Sequence, residues 1–245
     1  MIGRFLLVFL ALGLFGALST RAMAQTVRIG TEGKFPPFTY VDRAGELRGF
    51  DIDLGREICR RAALKCAFVL NDWNSILDNL LAGKYDVVMA GMAITKARSE
   101  RVAFSVGYDG GGKTATAVLI RSDGATADWP VVAVQEKTVH ADWVRNNGYR
   151  AHGFPTLVAA VEAVWQGKAD QVIGPLAFLE GAARAGGGKI EITETFGIPA
   201  GATAAAFRPE DNDLRRQWDA AIQAMQDDGE LDRLRQIWFA SGGTD

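Results

Sequence analysis

From residue 27 onward, short β-rich runs alternate with stretches of helical periodicity, and that alternation limits the chain to an α/β fold. The first series reads as a strand at Val27–Gly30, a helix at Asp51–Ala63, a strand at Cys66–Leu70, a helix at Asn74–Ala82 and a strand at Asp86–Ala90. Leu54, Ile58 and Ala62 recur at four-residue spacing, and Asp51 is placed to cap that helix. In the next helix Ile76, Leu77, Leu80 and Leu81 are the side chains expected to be buried. A second series follows: Val131–Gln135, a helix across His140–Arg145, a helix at Thr156–Trp165, a strand at Gln171–Ile173 and a helix at Leu176–Ala185. Two last helices, Asn212–Gln226 and Leu231–Phe239, are broken apart at Asp227-Asp228-Gly229. Strands joined through helices run parallel, so parallel sheets are expected. Asp109-Gly110-Gly111-Gly112-Lys113 sits between the two series as a boundary.

The first 24 residues read as a secretory signal rather than as structure. Arg4 precedes an apolar run from Phe5 to Leu18, and Ala22-Met23-Ala24 supplies the small-residue cleavage site. As a helix that run spans ~21 Å, short of the ~30 Å hydrocarbon core, so it is a signal and not an anchor. No cysteine lies near the cleavage site, which argues against a lipid anchor. The expectation is a soluble protein exported to the periplasm. Its net charge of −2 excludes a nucleic-acid partner held by a general basic surface. With 48% hydrophobic and 23% charged residues the composition is globular, and the chain is long enough to bury a real core. Glycine is the outlier at 28 residues, which points to tight turns or hinges.

Cys59 and Cys66 are the only cysteines. In an exported protein a lone pair at short spacing is most simply a disulfide. A continuous helix would hold their Cα atoms ~10.5 Å apart, beyond the ~7 Å that a disulfide tolerates. The helix must therefore end near Ala62 or Ala63 and turn into the following strand. No metal is expected, because the two cysteines and the distant His140 and His152 do not make a ligand set.

Gly107-Tyr108-Asp109-Gly110-Gly111-Gly112-Lys113-Thr114 fits the phosphate-cradling pattern G-x-x-x-x-G-K-[ST]. That loop works by opening a helix, and Ala115-Thr116-Ala117-Val118-Leu119-Ile120 reads as a strand. The segment is a glycine-rich crossing instead. Nucleophile-elbow, HExxH and dinucleotide signatures are absent, so no cofactor and no catalytic residue is expected.

Five motifs in order carry a resemblance: Lys34-Phe35-Pro36-Pro37-Phe38, Gly49-Phe50-Asp51-Ile52-Asp53-Leu54, Asp72-Trp73, Gly91-Met92-Ala93-Ile94-Thr95 with Arg98, and the Cys59/Cys66 pair. Together they resemble the periplasmic solute-binding proteins of polar amino-acid ABC transporters, nearest to the branch for lysine, arginine, ornithine or histidine. The resemblance implies a type II periplasmic-binding fold, with two α/β lobes joined by two crossing strands and a ligand cleft between them. Residues 26–112 plus 206–245 would form one lobe and 113–205 the other. It implies a monomer that captures a small carboxylated, amino-acid-like ligand and hands it to the membrane permease of an ABC transporter.

The resemblance also implies roles, one position at a time. Arg98 clamps the ligand carboxylate, with Gly91 and Ala93 completing that site; Ala93 departs from the usual Ser or Thr and removes a hydroxyl. Phe35 and Trp73 sandwich the ligand side chain, and Glu32 meets a basic group on it. Thr138 and His140 stand at a helix start on the second lobe, where Val139 lacks a hydroxyl. The acid that accepts the ligand's α-ammonium aligns with Pro175, so either Glu136 takes over or the ligand lacks a free amine. Two other readings remain open. An enzyme similar to cyclohexadienyl or arogenate dehydratases would share Lys113 but needs an acid near Pro175–Phe178, where only Glu180 is close. A ligand sensor would have the same fold.

Overall fold

The computed structural model describes residues 26–109, 112–124 and 128–240; the signal segment and the glycines at 110 and 111 lie outside them. The chain opens with β1 (Val27–Thr31), followed by β2 (Lys34–Phe35), β3 (Thr39–Val41) and β4 (Leu47–Arg48), which pair as a small antiparallel sheet. Then come α1 (Phe50–Arg61), β5 (Cys66–Leu70), a 3-10 turn at Trp73–Ser75, α2 (Ile76–Leu81), β6 (Val87–Val88), α3 (Lys96–Ser99) and β7 (Ala103–Phe104). The chain crosses into β8 (Gly112–Arg121), β9 (Val131–Gln135), α4 (Val139–Asn146), β10 (Arg150–Phe154), α5 (Leu157–Trp165), β11 (Gln171–Pro175), α6 (Leu176–Ala185) and β12 (Ile190–Ala200). It returns through β13 (Ala206–Phe207) to α7 (Asn212–Asp227), α8 (Glu230–Arg235) and a π-helical turn at Gln236–Ala240.

Two five-stranded sheets result, ordered β5-β1-β6-β13-β7 and β10-β9-β11-β8-β12. Each is mixed rather than wholly parallel. β1 pairs in parallel with β5 and β6, and β9 with β10 and β11. The strands that carry the chain between lobes enter antiparallel: β8 against β11 and β12, and β13 against β6 and β7. A crossing strand arrives from the other lobe without the helix that would turn it parallel. This is the two-lobed α/β architecture of a type II periplasmic-binding fold.

Each sheet has its own core. In the first lobe Ile29, Leu54, Ile58 and Met89 pack with Trp218, Ile222 and Met225 of α7, so the C-terminal helices belong to the lobe that begins the chain. In the second, Leu119, Ala133, Leu157, Val164, Val172 and Leu179 form a separate cluster. The crossings are pinned together by Ser105 N–H to the Ala205 carbonyl and Tyr108 N–H to that of Thr203, each at 2.9 Å.

Asp51 does not cap α1. Gly49 holds the cap position, and the first helical N–H groups, Phe50 and Asp51, donate to the carbonyls of Pro37 and Phe38 at 2.9 Å. The preceding loop satisfies the donors that a cap would have served, and the Asp51 side chain turns inward. Leu81 is 40% exposed while Ile76 and Leu80 are buried, because only one i, i+4 pair of that short helix faces the sheet. Asp86 pairs with Arg28 and Arg208, leaving only Val87 and Val88 in the expected strand.

The helix ends where the disulfide requires. Ala63 adopts φ 53°, Ala63 N–H donates to the Arg60 carbonyl and Leu64 N–H to that of Cys59. This is a Schellman stop with alanine in the left-handed position usually held by glycine. It brings the Cα atoms of Cys59 and Cys66 to 6.2 Å, and the two are bonded.

Candidate functional site

A cavity of about 220 Å³ opens between the lobes. It lies at the carboxyl ends of β1, β9 and β11, where open α/β sheets hold ligands. Glu32, Phe35, Trp73, Gly91, Ala93, Arg98, Thr138 and His140 all line it. These eight residues come from four segments far apart in sequence.

The aromatic floor is built from the loop after β1. Phe35 stacks on Phe38, with centroids 5.1 Å apart and planes at 8°, and reaches Phe178 of the second lobe at 6.3 Å. Gly91 passes beneath at φ 61°; a Cβ there would come within 2.7 Å of the Phe35 ring, so only glycine lets the backbone approach so closely. Its N–H does not serve the cavity: it donates to Asp51 Oδ2 at 2.6 Å, which also accepts from the Tyr108 hydroxyl at 3.2 Å. Burial pushes the Asp51 carboxyl up to about 7.

Arg98 sits on α3, whose N-terminus is capped by Thr95 accepting from the Arg98 N–H at 3.2 Å. Its Nη1 donates to the Ala93 carbonyl at 2.7 Å and its Nη2 to the Lys137 carbonyl at 2.9 Å. The guanidinium lies 5.2 Å over the Trp73 ring, within cation–π range. Burial lowers its pKa to about 10, so it stays charged at neutral pH. Among the described residues no carboxylate pairs with it. A half-buried guanidinium held only by carbonyls is poised to take a bidentate anion.

Glu32 is 4% exposed and accepts from Gln135 Nε2 at 2.9 Å. Its carboxyl is pushed up to about 7, chiefly by burial. Thr138 caps α4, accepting from Ala141 N–H at 3.1 Å while its hydroxyl donates to the Gln135 carbonyl. His140, two residues on, is 4% exposed, and its Nε2 is buried without a partner. Burial lowers its imidazole to about 3, which keeps it neutral.

Glu136 does not enter the cavity. It accepts from Asn74 Nδ2 at 3.2 Å, while its carbonyl takes Trp73 Nε1–H at 3.1 Å, and so it cannot replace the acid missing at Pro175. Pro175 lines the cavity, as its alignment with a ligand-binding position implied; Phe38, Asp109, Lys113, Gln135, Thr203 and Phe239 line it too, and nothing in the sequence had placed those six there. Asp109 accepts from the N–H of Thr203 at 2.8 Å and from its hydroxyl. Phe239 packs on Phe38 and Phe50 at 5.2 and 5.1 Å. No local pattern marks a terminal aromatic as a wall of a distant cleft. Among the described residues no His, Cys, Asp and Glu cluster could hold a metal ion, and no helix is long and apolar enough to cross a membrane.

The lobes meet through residues 135–137. Besides the Glu32, Trp73, Asn74 and Arg98 bonds above, Lys137 Nζ donates to the Asn74 carbonyl at 2.6 Å. The cleft is closed.

Residues 27–241 match the profile of a family described as bacterial extracellular solute-binding proteins, family 3. The chain is similar to the lysine/arginine/ornithine-binding periplasmic protein of Escherichia coli, at 42% identity over 101 residues, a stretch that spans 39% of either chain. It is similar to the histidine-binding periplasmic protein of Salmonella typhimurium at 29% identity over 241 residues, 89% of each. Among solved structures, a periplasmic His/Glu/Gln/Arg/opine family-binding protein from Silicibacter pomeroyi in complex with lysine superposes with a TM-score of 0.82. Its identity is 37%, covering 90% of this chain and 100% of that one.

Proposed function

This chain belongs to the bacterial extracellular solute-binding proteins, family 3, and from that membership we propose that it is a receptor whose Arg98 takes the carboxylate of a small amino-acid-like solute. Its place is the periplasm, and its role is to pass the solute to the membrane permease of an ABC transporter. Family and fold are those of binding proteins rather than of enzymes. The observation that carries the reading is the cavity itself: a charged guanidinium with no acidic partner among the described residues faces an aromatic floor and a buried acid in a closed interlobe cleft.

Phe35 and Trp73 take the solute's side chain, and Glu32 takes a basic group at its end. A cation arriving beside Glu32 returns that carboxyl to its charged form, so the pair forms as the cleft closes. The lobes are residues 26–112 with 206–245, and 113–205. One chain supplies every wall of the cavity described, which supports action as a monomer. Isothermal titration of the mature protein with L-arginine, L-lysine and agmatine, which lacks the carboxylate, tests the reading. Carboxylate-dependent binding lost in Arg98→Ala is expected; agmatine binding as tightly as L-arginine would refute it.

A further inference from the structure

We propose that Phe239 and Ala177 are the pair that limits solute size: from opposite lobes they form a partition that shuts the solute cavity off from a second, apolar cavity behind it. This rests on the receptor reading above and adds the residues that set which solutes the site admits.

The second cavity measures about 290 Å³, against about 220 Å³ for the first. Its walls include Pro36, Pro37, Phe178, Ala182 and Trp238, with Glu180 and Arg184 as its charged members. Ala177 and Phe239 line both cavities, and no other described residue does. Ala177 lies on α6 of the second lobe, whereas Phe239 lies on the C-terminal turn that packs on the first. A boundary built from one residue of each lobe is complete only while the lobes are together.

The Phe239 ring is held in place. It lies 5.2 Å from Phe38 and 5.1 Å from Phe50, at interplanar angles of 59° and 61°, within the spacing that aromatic pairs prefer. Beside it Trp238 Nε1 donates to Asp53 Oδ2 at 3.0 Å. Arg235 donates Nε and Nη2 to the Tyr108 carbonyl at 3.2 and 2.8 Å. The turn that carries the ring is thus fastened both to α1 and to the interlobe crossing. Phe239 is still 38% exposed, so part of the ring remains free to border the two cavities.

Opposite it, Ala177 offers only a methyl group. One ring therefore fills most of the gap, and removing it joins the two spaces. Beyond the partition the walls are mainly apolar, so a charged group would lose hydration there and an apolar ring would gain by burial. With the partition shut, a bulky apolar branch on the α6 side of the solute strikes Phe239 and keeps the lobes apart.

The test is calorimetry on the mature chain with L-arginine and two derivatives that add a ring at either end, Nα-benzoyl-L-arginine and Nω-benzyl-L-arginine. Wild type is expected to bind L-arginine about tenfold or more tighter than both. In Phe239→Ala at least one derivative should gain about tenfold relative to L-arginine, the order of return for burying one ring. Phe239→Leu, which keeps apolar bulk should the alanine variant not fold, should give a smaller gain for the same compound. Adding Ala177→Phe to Phe239→Ala should restore the discrimination, a rescue that a merely structural role for the ring would not give. Wild type binding either derivative as tightly as L-arginine, a ratio unmoved in both Phe239 variants, or no rescue from Ala177 would overturn the proposal. If that happens while Arg98→Ala still abolishes L-arginine binding, the receptor reading stands and this inference alone falls. If L-arginine does not bind wild type, the reading for a basic solute falls, and the partition is judged by thermal shift with 4-phenylbutanoate, a carboxylate that carries a ring. That compound should stabilise Phe239→Ala and not wild type; equal shifts, or none in either, would overturn the partition too.

Discussion

Arg98 of the first lobe donates Nη2 to the carbonyl oxygen of Lys137 on the second, at 2.9 Å. The side chain proposed to hold the solute's carboxylate therefore also spans the cleft, so capture and closure share one guanidinium. Arg98→Ala is expected to cost ~2–5 kcal/mol of binding, as when one partner of a desolvated charge pair is truncated. Arg98→Lys should recover only part, since an ammonium keeps the charge but not the fork. Calorimetry against the arginine series would show it; an alanine variant with affinity near wild type would place the carboxylate elsewhere.

Asn74 lies outside the cavity but receives Lys137 and donates to Glu136 across the cleft. Asn74→Ala removes the Glu136 bond, and Glu136→Ala removes it from the other side. Each variant is expected to weaken binding by ~0.5–1.5 kcal/mol, chiefly through faster release. The double variant should cost little more than either single one. Stopped-flow release rates and small-angle scattering of the ligand-free protein would check this. Unchanged release in both variants would show that the contact contributes nothing to closure.

Glu32 and Asp51 are both held near 7 by burial, against ordinary values of 4.5 and 3.8. Between those limits the folded state keeps protons that the unfolded chain has released. Stability should therefore fall as pH rises from about 4 to about 7 and level off above that. Gln135, Lys34 and Asp72 act on Glu32, while Gly91, Tyr108 and Asp109 act on Asp51. Glu57, lowered to about 2 by its Arg60 hydrogen bond, contributes fully only above about pH 5, and His140, lowered to about 3 by burial, acts in the opposite sense below its ordinary 6.5 and makes the fall shallower without reversing it. The melting temperature of the ligand-free protein should be higher at pH 5 than at pH 8, with a shallower slope in Asp51→Asn. An upward slope would contradict the burial of these two carboxyls.

Ala63 occupies the left-handed region at the end of α1. A non-glycine residue there costs ~1–2 kcal/mol, and glycine returns ~0.5–1 kcal/mol of that as unfolded-chain entropy. Ala63→Gly should thus stabilise the protein by about 0.5–1 kcal/mol by urea titration. A loss of stability would mean that the turn is not strained. Reducing the Cys59–Cys66 bond, which closes a short loop over the same turn, should cost roughly 2.5 kcal/mol on the loop-entropy model.

The two-lobed α/β order and the short end of α1 could be read from the chain because they rest on local pattern. Val27, Ile29 and Leu54 repeat at the period of their element, and the cysteine spacing forbids a longer helix. Gly91 and Asp51 could not be read in this way. Their pairing joins residues 40 apart in sequence and depends on the loop before α1 having already satisfied the helix's first donors. The same holds for Glu136, whose neighbour Gln135 turns into the cavity to meet Glu32 while its own carboxylate meets Asn74. Which way a single side chain turns at the end of a strand is decided by tertiary partners, and periodicity carries no record of them.

Phe239 closes one side of a cavity whose first lining residue is Glu32, so the binding wall is spread over nearly the full length of the polypeptide. A chain threaded through an export channel from its N-terminus delivers Glu32, Arg98 and His140 to the far side well before this last aromatic. Until it arrives, the Phe38 and Phe50 rings have an open face where Phe239 will pack. The finished pocket exists only once the segment that carries Phe239 has packed against those two rings.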